Sequence, residues 1–444
     1  MSSLAVAGFL MIVIFMFLLM KKKISAMVGL ILIPIVFAVI LGFGPQVGAM
    51  ALDGIKKVAP TAVMIAFAMF YFMIMIDTGL FDPLINGILR AVKGDPMKVA
   101  VGTALLAGFV SLDGDGATTY IITTSAMLAV HRHLKMDPVI LPALAIMQNG
   151  VMNITPWGGP TARVMASLHL EASELFIPLI PGMIAGTLWI LFVAYRWGIA
   201  ERKRLGIVHH LENAQTAATA APGDFSAASL EEMGSDASLK RPKLFGVNLA
   251  LTIVLMACLV TEALPLNVLF MVGSAIALLI NYPNLKIQSE RISHYGTNVL
   301  PNISMVLGAG IFTGILSGTK MIDAMAKTLT NNIPESMGTH LALITGLTSL
   351  PFDYFLTNDA FYFGIVPLLA KTAATYGIST AEIGRASLVA QGCHLLSPLV
   401  ASTYILIGLN NITLEDLTKK ALLPSIMTSV IMLATAIVLG VIPL

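Results

Sequence analysis

Two acidic side chains separated by glycines stand between long apolar stretches, in the segment SLDGDGATTY at 111–120. Asp113 and Asp115 offer oxygens to a cation or a proton, and carboxylates inside a membrane are costly enough to be functional candidates by default. Gly114 and Gly116 let the backbone turn tightly and approach a ligand. The segment therefore predicts a binding turn, and the polar residues that follow are further candidates: Thr118 and Thr119.

A second polar turn occurs near the end of the chain, in SLPFDYFLTNDAFY at 349–362. Its polar groups are Asp353, Thr357, Asn358 and Asp359. Such residues are common at helix N-termini, where their oxygens accept hydrogen bonds from free backbone N–H groups. The helix dipole also favours anions at this end. Capping alone would also account for the polar residues of either turn. Capping and ligand binding are compatible, and we interpret both segments as binding turns.

Two further apolar stretches are interrupted by proline, glycine and polar residues. In the first, MQNGVMNITPWGGPTARV at 147–164, the cluster from 156 to 160 is typical of an unwound helix. Unwinding frees carbonyl groups that can coordinate a cation. Trp157 lies in this break as a candidate substrate contact. The other candidate ligands here are Asn149, Asn153, Thr155, Gly158 and Gly159.

Arg163 follows this break and is the one basic residue that the pattern places inside the membrane. Its planar guanidinium can hold a carboxylate through two parallel N–H groups. Alternatively, the side chain reaches outward or pairs with an acidic residue. The sequence leaves these roles open.

The second interrupted stretch, VAQGCHLLSPLVASTYIL at 389–406, contains a histidine. His394 is a candidate proton carrier, although a single histidine in a membrane is often a neutral, hydrogen-bonded residue. The candidate ligands of this break are Gln391, His394, Ser397, Ser402 and Thr403. Together with the turns, this gives five candidates for proton coupling: Asp113, Asp115, Asp353, Asp359 and His394.

The turns and breaks recur at a spacing of about 240 residues. Pro60 corresponds to Pro301 in this spacing, and Pro156 corresponds to Pro398. Two hydrophobic halves with matched interruptions are typical of a secondary transporter whose site lies between the halves, near the middle of the membrane.

The composition supports a membrane location. Of the 444 residues, 57% are hydrophobic and only 11% charged, with a mean hydropathy of +0.87, whereas soluble domains have about 25% charged residues. Long apolar runs favour helices over a barrel. The net charge of +2 gives no indication of nucleic-acid binding, and two cysteines are too few for a disulfide framework. The chain has no P-loop, and no residues spaced as a catalytic or metal centre, so we predict neither an enzyme nor a permanently bound cofactor.

The candidate ligands of the turns and breaks need structural elements that hold them inside the membrane. We predict an all-α integral membrane protein of two inverted repeats, 1–198 and 244–444, joined by a polar linker over 199–243. Each repeat contains spanning helices, a short-armed re-entrant hairpin and a broken helix. The hairpins cover 98–130 and 338–371, and the broken helices cover 138–168 and 383–408.

The distribution of basic residues indicates the orientation. Lys21, Lys22 and Lys23 follow the first apolar segment, and basic clusters also lie near 131–135 and 196–204. Since such clusters favour the cytoplasmic side, we predict that both termini lie outside and the linker inside. The membrane is then the cytoplasmic (inner) membrane, and the lipid bilayer is a partner of the chain.

At the two turns and two breaks, the chain resembles the citrate–divalent metal:proton symporter family, CitMHS, of the ion transporter superfamily. Dicarboxylate carriers of that superfamily have Ser-Asn-Thr at both hairpin tips, whereas this chain has Ala117-Thr118-Thr119 and Thr357-Asn358-Asp359. The departure argues against a sodium–dicarboxylate carrier. The resemblance implies a homodimer that moves citrate complexed with a divalent cation such as magnesium by an elevator motion, with protons as the coupling ion.

Two alternatives remain open on the sequence. The first is a sodium- or proton-coupled carrier of another di- or tricarboxylate without metal. The second is an ion channel or an intramembrane enzyme, which the paired hairpins and the missing catalytic constellation disfavour. The preferred metal, the proton stoichiometry and the direction of transport do not follow from the sequence.

Overall fold

The computed structural model describes residues 2–92, 94–206, 237–261 and 263–444. Within these ranges the chain is helical and contains no β-strand. Seven helical segments there are long and apolar enough to cross a membrane, so the chain is a multi-pass membrane protein. These segments are Ser3–Met20, Gly44–Asp77, Pro96–Asp113, Ala172–Arg204, Pro242–Leu259, Leu285–Gly318 and Leu414–Val438.

The first half of the chain has two apolar helices, a very long helix, a short amphipathic helix, a helical hairpin, a broken helix and another long helix. The bounds are α1 Ser3–Met20, α2 Ala26–Ile40, α3 Val47–Asp77, α4 Asp82–Val92, α5 Pro96–Val110, α6 Gly116–His133, α7 Ile140–Met152, α8 Gly159–Leu168 and α9 Ala172–Arg204.

The second half has the same order of elements. Its α-helices are α10 Phe245–Val260, α11 Leu266–Asn281, α12 Leu285–Gly318, α13 Met321–Thr330, α14 Glu335–Gly338, α15 Leu341–Phe355, α16 Val366–Ala373, α17 Thr380–Leu388, α18 Gln391–His394, α19 Ala401–Asn410 and α20 Leu414–Val438. The segment Ala360–Ile365, which precedes α16, is a π-helix.

Two helices begin earlier than the apolar runs predicted. The apolar runs at 59–77 and 300–318 predict spanning helices, but α3 begins at Val47 and α12 begins at Leu285. Both contain an internal proline, Pro60 or Pro301. Membrane helices accommodate such prolines because neighbouring groups satisfy the freed backbone carbonyl. The apolar runs start later than the helices because the N-terminal parts of both helices contain charged residues.

The linker and the first hairpin also differ from the prediction. α9 continues to Arg204, so the predicted linker 199–243 starts inside a helix, and its part 207–236 lies outside the described residues. The first hairpin arm begins at Pro96, with Asp95 as its N-cap. Together with the following 3₁₀ turn it reaches Asp113, which makes it long enough to count as a candidate span rather than an arm of about 13 residues.

The long helices α3 and α12 pack closely through glycines. A Cβ atom at Gly54 would collide with the carbonyl oxygen of Gly310 and lie 2.9 Å from the Cα of Gly314. Around them, α11 packs on α3 and α2 packs on α12. Because glycine has no side chain, the two backbones approach within van der Waals contact, and this pair forms the centre of a helical frame.

The broken helices cross at two further glycines. An ideal Cβ at Gly150 in α7 would lie 2.5 Å from the Cα of Gly392 in α18. These residues are separated by the same spacing of about 240 residues as the motifs. The crossing sets the distance between the two breaks, and hence the positions of the residues on either side.

Ion pairs hold the base of the first hairpin against α9 and α20. Asp95 pairs with Arg202, and Asp137, in the loop after α6, accepts a hydrogen bond from Lys420 Nζ at 2.8 Å. Burial alone would raise the pKa of Asp137. The hydrogen bonds from Lys420 and from the Val139 N–H have the larger combined effect, and the pKa lies below its ordinary value. The carboxylate therefore remains ionised at neutral pH.

Candidate functional site

A cavity of about 260 Å³ lies between the two hairpin tips and the two helix breaks. Its wall includes Asp113–Gly116 from the first tip and Asn358 from the second. Trp157, Gly159 and Ser402 belong to the breaks or the residues next to them. The helices α3 and α12 close the cavity from the side of the frame with the apolar residues Ile65, Met69, Met305 and Val306.

The first tip is a 3₁₀ turn over Ser111–Asp113, followed by Gly114 in the left-handed region at φ +79°. A side chain is disfavoured there, and a Cβ would also lie 2.8 Å from Trp157 Cδ1. Asp115 caps α6 and accepts bonds from the Thr118 N–H at 2.8 Å and the Thr118 hydroxyl at 2.7 Å. The tip therefore presents carboxylates and a helix N-terminus to the cavity.

The second tip has the same kind of cap. The Thr357 hydroxyl accepts a hydrogen bond from the N–H of Ala360 at 3.2 Å, three residues later. In the first tip, the Asp115 carboxylate accepts a hydrogen bond from the N–H of Thr118, also three residues later. If the capping residues are equivalent, Thr357-Asn358-Asp359 corresponds to Asp115-Gly116-Ala117. The sequence comparison instead matches it with Ala117-Thr118-Thr119, two residues later. The first tip thus has a carboxylate where the second has a hydroxyl.

A threonine after each break compensates for the lost helical hydrogen bonds. Thr161 Oγ1 donates to the carbonyl of Ile154 at 2.9 Å, and Thr403 Oγ1 donates to the carbonyl of Leu395 at 2.5 Å. Each bond crosses an interruption and satisfies a carbonyl that the helix no longer binds. Each break is therefore bridged by a threonine hydroxyl, although the Thr155 hydroxyl in the first break is buried without a hydrogen-bond partner.

Trp157 connects the first break to the first tip and to the frame. Its indole N–H donates to the Leu112 carbonyl at 2.8 Å. The ring lies 4.9 Å from the ring of Phe72 and 5.0 Å from that of Phe270, measured between centroids. A single side chain thus fixes the tip, the break and the surface on which they rest.

Arg163 forms an ion pair between the two halves. Its Nε donates to Asp359 Oδ1 at 2.7 Å, Nη1 donates to the Gly159 carbonyl at 2.9 Å, and Nη2 lies 3.3 Å from Met305 Sδ. The two charged side chains are 15% and 16% exposed. Among the roles that the sequence left open, the structure contains the pair with an acidic residue. Arg163 also lines the cavity, so its guanidinium lies within reach of a ligand there.

Behind the cavity wall, a buried network surrounds Asp353. Gln391 Nε2 lies 3.2 Å from Asp353 Oδ2, 3.4 Å from Asn358 Oδ1 and 2.5 Å from the Tyr362 hydroxyl. His394 Nδ1 lies 2.6 Å from the Asp353 carbonyl oxygen. The first half has a related arrangement, in which Asn149 and Tyr120 are buried and neither side chain has a hydrogen-bond partner.

About half of the predicted ligands border the cavity. These are Asp113, Gly114, Asp115, Gly116, Asn153, Gly159, Arg163, Asn358, His394 and Ser402. The others do not border it, because they cap helices, bridge the breaks or lie in the layer behind: Thr118, Thr119, Asn149, Thr155, Gly158, Asp353, Thr357, Asp359, Gln391, Ser397 and Thr403.

Sequence reasoning missed the contribution of the long helices, above all Asn302. This amide lines the cavity and donates to the Asn298 carbonyl at 3.1 Å. A signal was present, because Asn302 is a polar residue that directly follows the helix proline Pro301. Tyr362 was also missed, although Tyr120 and Tyr362 close the two matched turns.

The cavity does not resemble a resident metal centre. In the ranges that the structure describes, no group of three or more His, Cys, Asp and Glu side chains converges closely enough to hold a metal ion. Oxygen atoms of Asp113, Asp115, Asn153 and Asn358 are available at the wall. Such a set can supply a few ligands to a hard cation whose remaining ligands arrive with it.

Comparison with known proteins identifies the family. A profile of the CitMHS family, described as citrate transporter, matches residues 5–390. The chain belongs to the CitMHS citrate transporter family. A "Citrate transporter" of Bacillus subtilis (strain 168) is 52% identical over 99% of both chains, and a "Mg(2+)/citrate complex secondary transporter" of the same strain is 48% identical over 99% of both.

A solved structure has a similar fold. The Alcanivorax borkumensis YdaH transporter, described as having an unusual topology, aligns with a TM-score of 0.52 over 90% of this chain and 89% of its own. The identity is only 12%, so the likeness concerns the fold alone. It agrees with the helical, multi-pass architecture of this CitMHS protein.

Proposed function

We propose that this protein is a secondary active transporter of citrate complexed with a divalent metal cation such as Mg²⁺, coupled to protons. The observation that carries the proposal is the cavity between the hairpin tips, where one guanidinium and several carboxylates meet. Arg163 can engage a substrate carboxylate, while Asp113 and Asp115 suit a cation held by the same substrate. The 48% identical Mg²⁺/citrate transporter supports the choice of metal.

The charges of the cavity favour a complex over free citrate. Three ionised carboxyl groups give citrate a charge of about −3 at neutral pH, and a divalent cation reduces this to about −1. Movement of charge against a membrane potential costs about 2.3 kcal/mol per charge per 100 mV. A bare trianion would also face the carboxylates of the first tip, whereas a bound cation turns that repulsion into attraction.

We further propose that the halves are inverted repeats and that the transporter works as an elevator. The crossing of Gly150 with Gly392 supports the repeat, because a two-fold axis brings equivalent residues together. Ile65 and Val306, also about 240 residues apart, both face the cavity. In this proposal α1–α3 and α10–α12 form the static frame, and the hairpins and broken helices carry the substrate. Both termini lie outside the inner membrane, and the linker lies inside.

A homodimer through the frame helices is part of the same proposal. A moving unit needs a static partner surface, and α1 and α10 have large apolar faces free for it. Only 28% of the Ser3–Met20 window and 17% of the Pro242–Leu259 window are buried. Crosslinks between protomers should therefore form through these helices and not through the hairpin tips.

Uptake by purified protein in liposomes tests the function. With Mg²⁺ and an inwardly directed proton gradient, labelled citrate should accumulate. Chelation of the metal should reduce uptake by about tenfold or more, since the remaining free anion carries about two further charges into the cavity. Equal uptake with and without metal would support the alternative, a carrier of free di- or tricarboxylates, and replacement of protons by sodium would identify its coupling ion.

A further inference from the structure

Asp353 is a buried carboxylate without a charged partner. The residue is 0% exposed, its Oδ1 has no hydrogen-bond partner, and its Oδ2 has one long contact, to Gln391 at 3.2 Å. In the ranges that the structure describes, none of the ion pairs includes Asp353. An isolated ionised carboxylate in such surroundings is so unfavourable that the group takes up a proton instead.

The other three candidate carboxylates have shorter bonds or a charged partner. Asp359 pairs with Arg163 at 2.7 Å. Asp115 accepts two hydrogen bonds from Thr118. Asp113 accepts the N–H of Asp115 at 2.9 Å and borders the cavity. Hydrogen bonds and positive charges directed at a carboxylate stabilise its negative form, and Asp353 lacks the short bonds that Asp115 and Asp359 have. Asp113 is also buried, at 7% exposed, but it borders the cavity, whereas Asp353 is enclosed behind it.

Two side chains connect Asp353 to the substrate cavity. Gln391 contacts both Asp353 and Asn358, and Asn358 borders the cavity. His394 also borders the cavity, and its Nδ1 lies 2.6 Å from the Asp353 carbonyl oxygen. Because a carbonyl oxygen only accepts, that nitrogen carries hydrogen. The Asp353 residue is therefore separated from the cavity by a single layer of polar side chains.

The groups that surround Asp353 come from several elements. The titratable neighbours are Tyr362 from the π-helix and Cys393 and His394 from α18. The facing part of α20 contributes only the hydroxyls of Ser425 and Ser429. On α17, Arg385 donates to the Glu174 carbonyl near the far end of the helix. The Arg163 guanidinium pairs with Asp359, so neither charge is left free for Asp353.

We propose that Asp353 binds the coupling proton at a site behind the substrate cavity, separated from it by Asn358 and His394. This inference deepens the proposed function and rests on it. The proton adds to Oδ1 when the cavity is open to the side of uptake, and it returns to water after the substrate has left. No other bond forms or breaks.

The coupling between proton and substrate is electrostatic. An ionised Asp353 would place a negative charge behind a cavity that receives a complex of about −1 charge, and protonation removes that repulsion. Since coupling between two binding sites is reciprocal, the bound complex in turn stabilises the proton on Asp353. Proton and substrate therefore bind together, which is the requirement for symport.

The test compares wild type with Asp353→Asn and Asp353→Glu in liposomes that contain a pH indicator. For one coupled proton, the apparent affinity for Mg²⁺/citrate should change by about tenfold per pH unit above the proton-binding range. Asp353→Asn, which mimics the protonated form, should bind and exchange labelled Mg²⁺/citrate with an affinity independent of pH, and citrate entry should move no protons. Asp353→Glu should restore proton movement.

Two further measurements keep the test decisive if Asp353→Asn inserts poorly. In detergent, the infrared band of protonated carboxyl groups should be weaker in Asp353→Asn than in wild type, and an unchanged band would show that Asp353 carries no proton. Asp82→Asn, which removes a carboxylate paired with Lys240 far from the cavity, should leave the number of protons per citrate unchanged.

The outcomes separate the two proposals. Proton movement that persists in Asp353→Asn at the wild-type ratio overturns the assignment of Asp353 and leaves the transporter function intact. Citrate uptake without proton movement in wild type overturns proton coupling itself, and the assignment with it.

Discussion

Loss of the Arg163 charge should abolish citrate uptake even when the stability of the protein is restored. Arg163→Gln leaves Asp359 largely buried and unpaired, and we expect it to destabilise the fold by about 3 kcal/mol, the lower end for a broken buried ion pair. Uptake should fall by about 100-fold or more, because truncation of one member of a buried charge pair at a binding site costs about 2–5 kcal/mol.

The double variant Arg163→Gln/Asp359→Asn separates structure from binding. It removes both charges, so thermal stability in detergent should return to near the wild-type value, because a neutral pair of similar volume can replace a buried ion pair. Uptake should remain lost, since no guanidinium is left for the substrate carboxylate. Recovery of uptake in the double variant would show that Arg163 serves only as the partner of Asp359.

Arg163→Lys provides the matched control for charge. Lysine retains the positive charge but not the planar arrangement of N–H groups, and the bonds of Nε to Asp359 and Nη1 to Gly159 cannot both be kept. We therefore expect weaker apparent affinity for the Mg²⁺/citrate complex at equal expression, with a smaller loss of stability than in Arg163→Gln.

A methyl group at Gly150 should be as damaging as the loss of Arg163. The Cβ of Gly150→Ala would lie 2.5 Å from the Cα of Gly392 and 3.0 Å from its backbone nitrogen. No rotamer relieves a clash with backbone, so the broken helices must separate, and well-packed cores resist overpacking by about 1–3 kcal/mol or more. Since both breaks border the cavity, uptake should fall to near background.

Two glycine variants provide the controls. Gly392→Ala lies at the same crossing, but its Cβ would point towards Ser425 at an ordinary 3.8 Å. Gly408→Ala in α19 has no neighbouring atom within 4 Å, and alanine favours a helix over glycine by about 1 kcal/mol. Both should be expressed and active in liposomes. A Gly150→Ala protein with normal melting temperature and uptake would show that the crossing is not tight.

The membrane class, the order of elements and the segments that form the turns and breaks could all be predicted from the amino-acid sequence. Hydrophobic length decides which segments can span a bilayer, and proline and glycine decide where a helix stops, whatever lies around them. For the same reason the cavity borders both predicted tips and both predicted breaks. Local chemistry was sufficient for these features because each depends on a few consecutive residues.

Which polar residues meet depends on the packing of distant helices and could not be predicted from the sequence. Arg163 and Asp359 are nearly 200 positions apart, and nothing near either residue in the sequence indicates the pair. Asp113 and Asp353 end the first arms of similar turns, yet one borders the cavity and the other is enclosed behind it. Burial, charge pairing and the contact of Gly150 with Gly392 depend on how distant helices pack, which hydrophobic patterns do not encode.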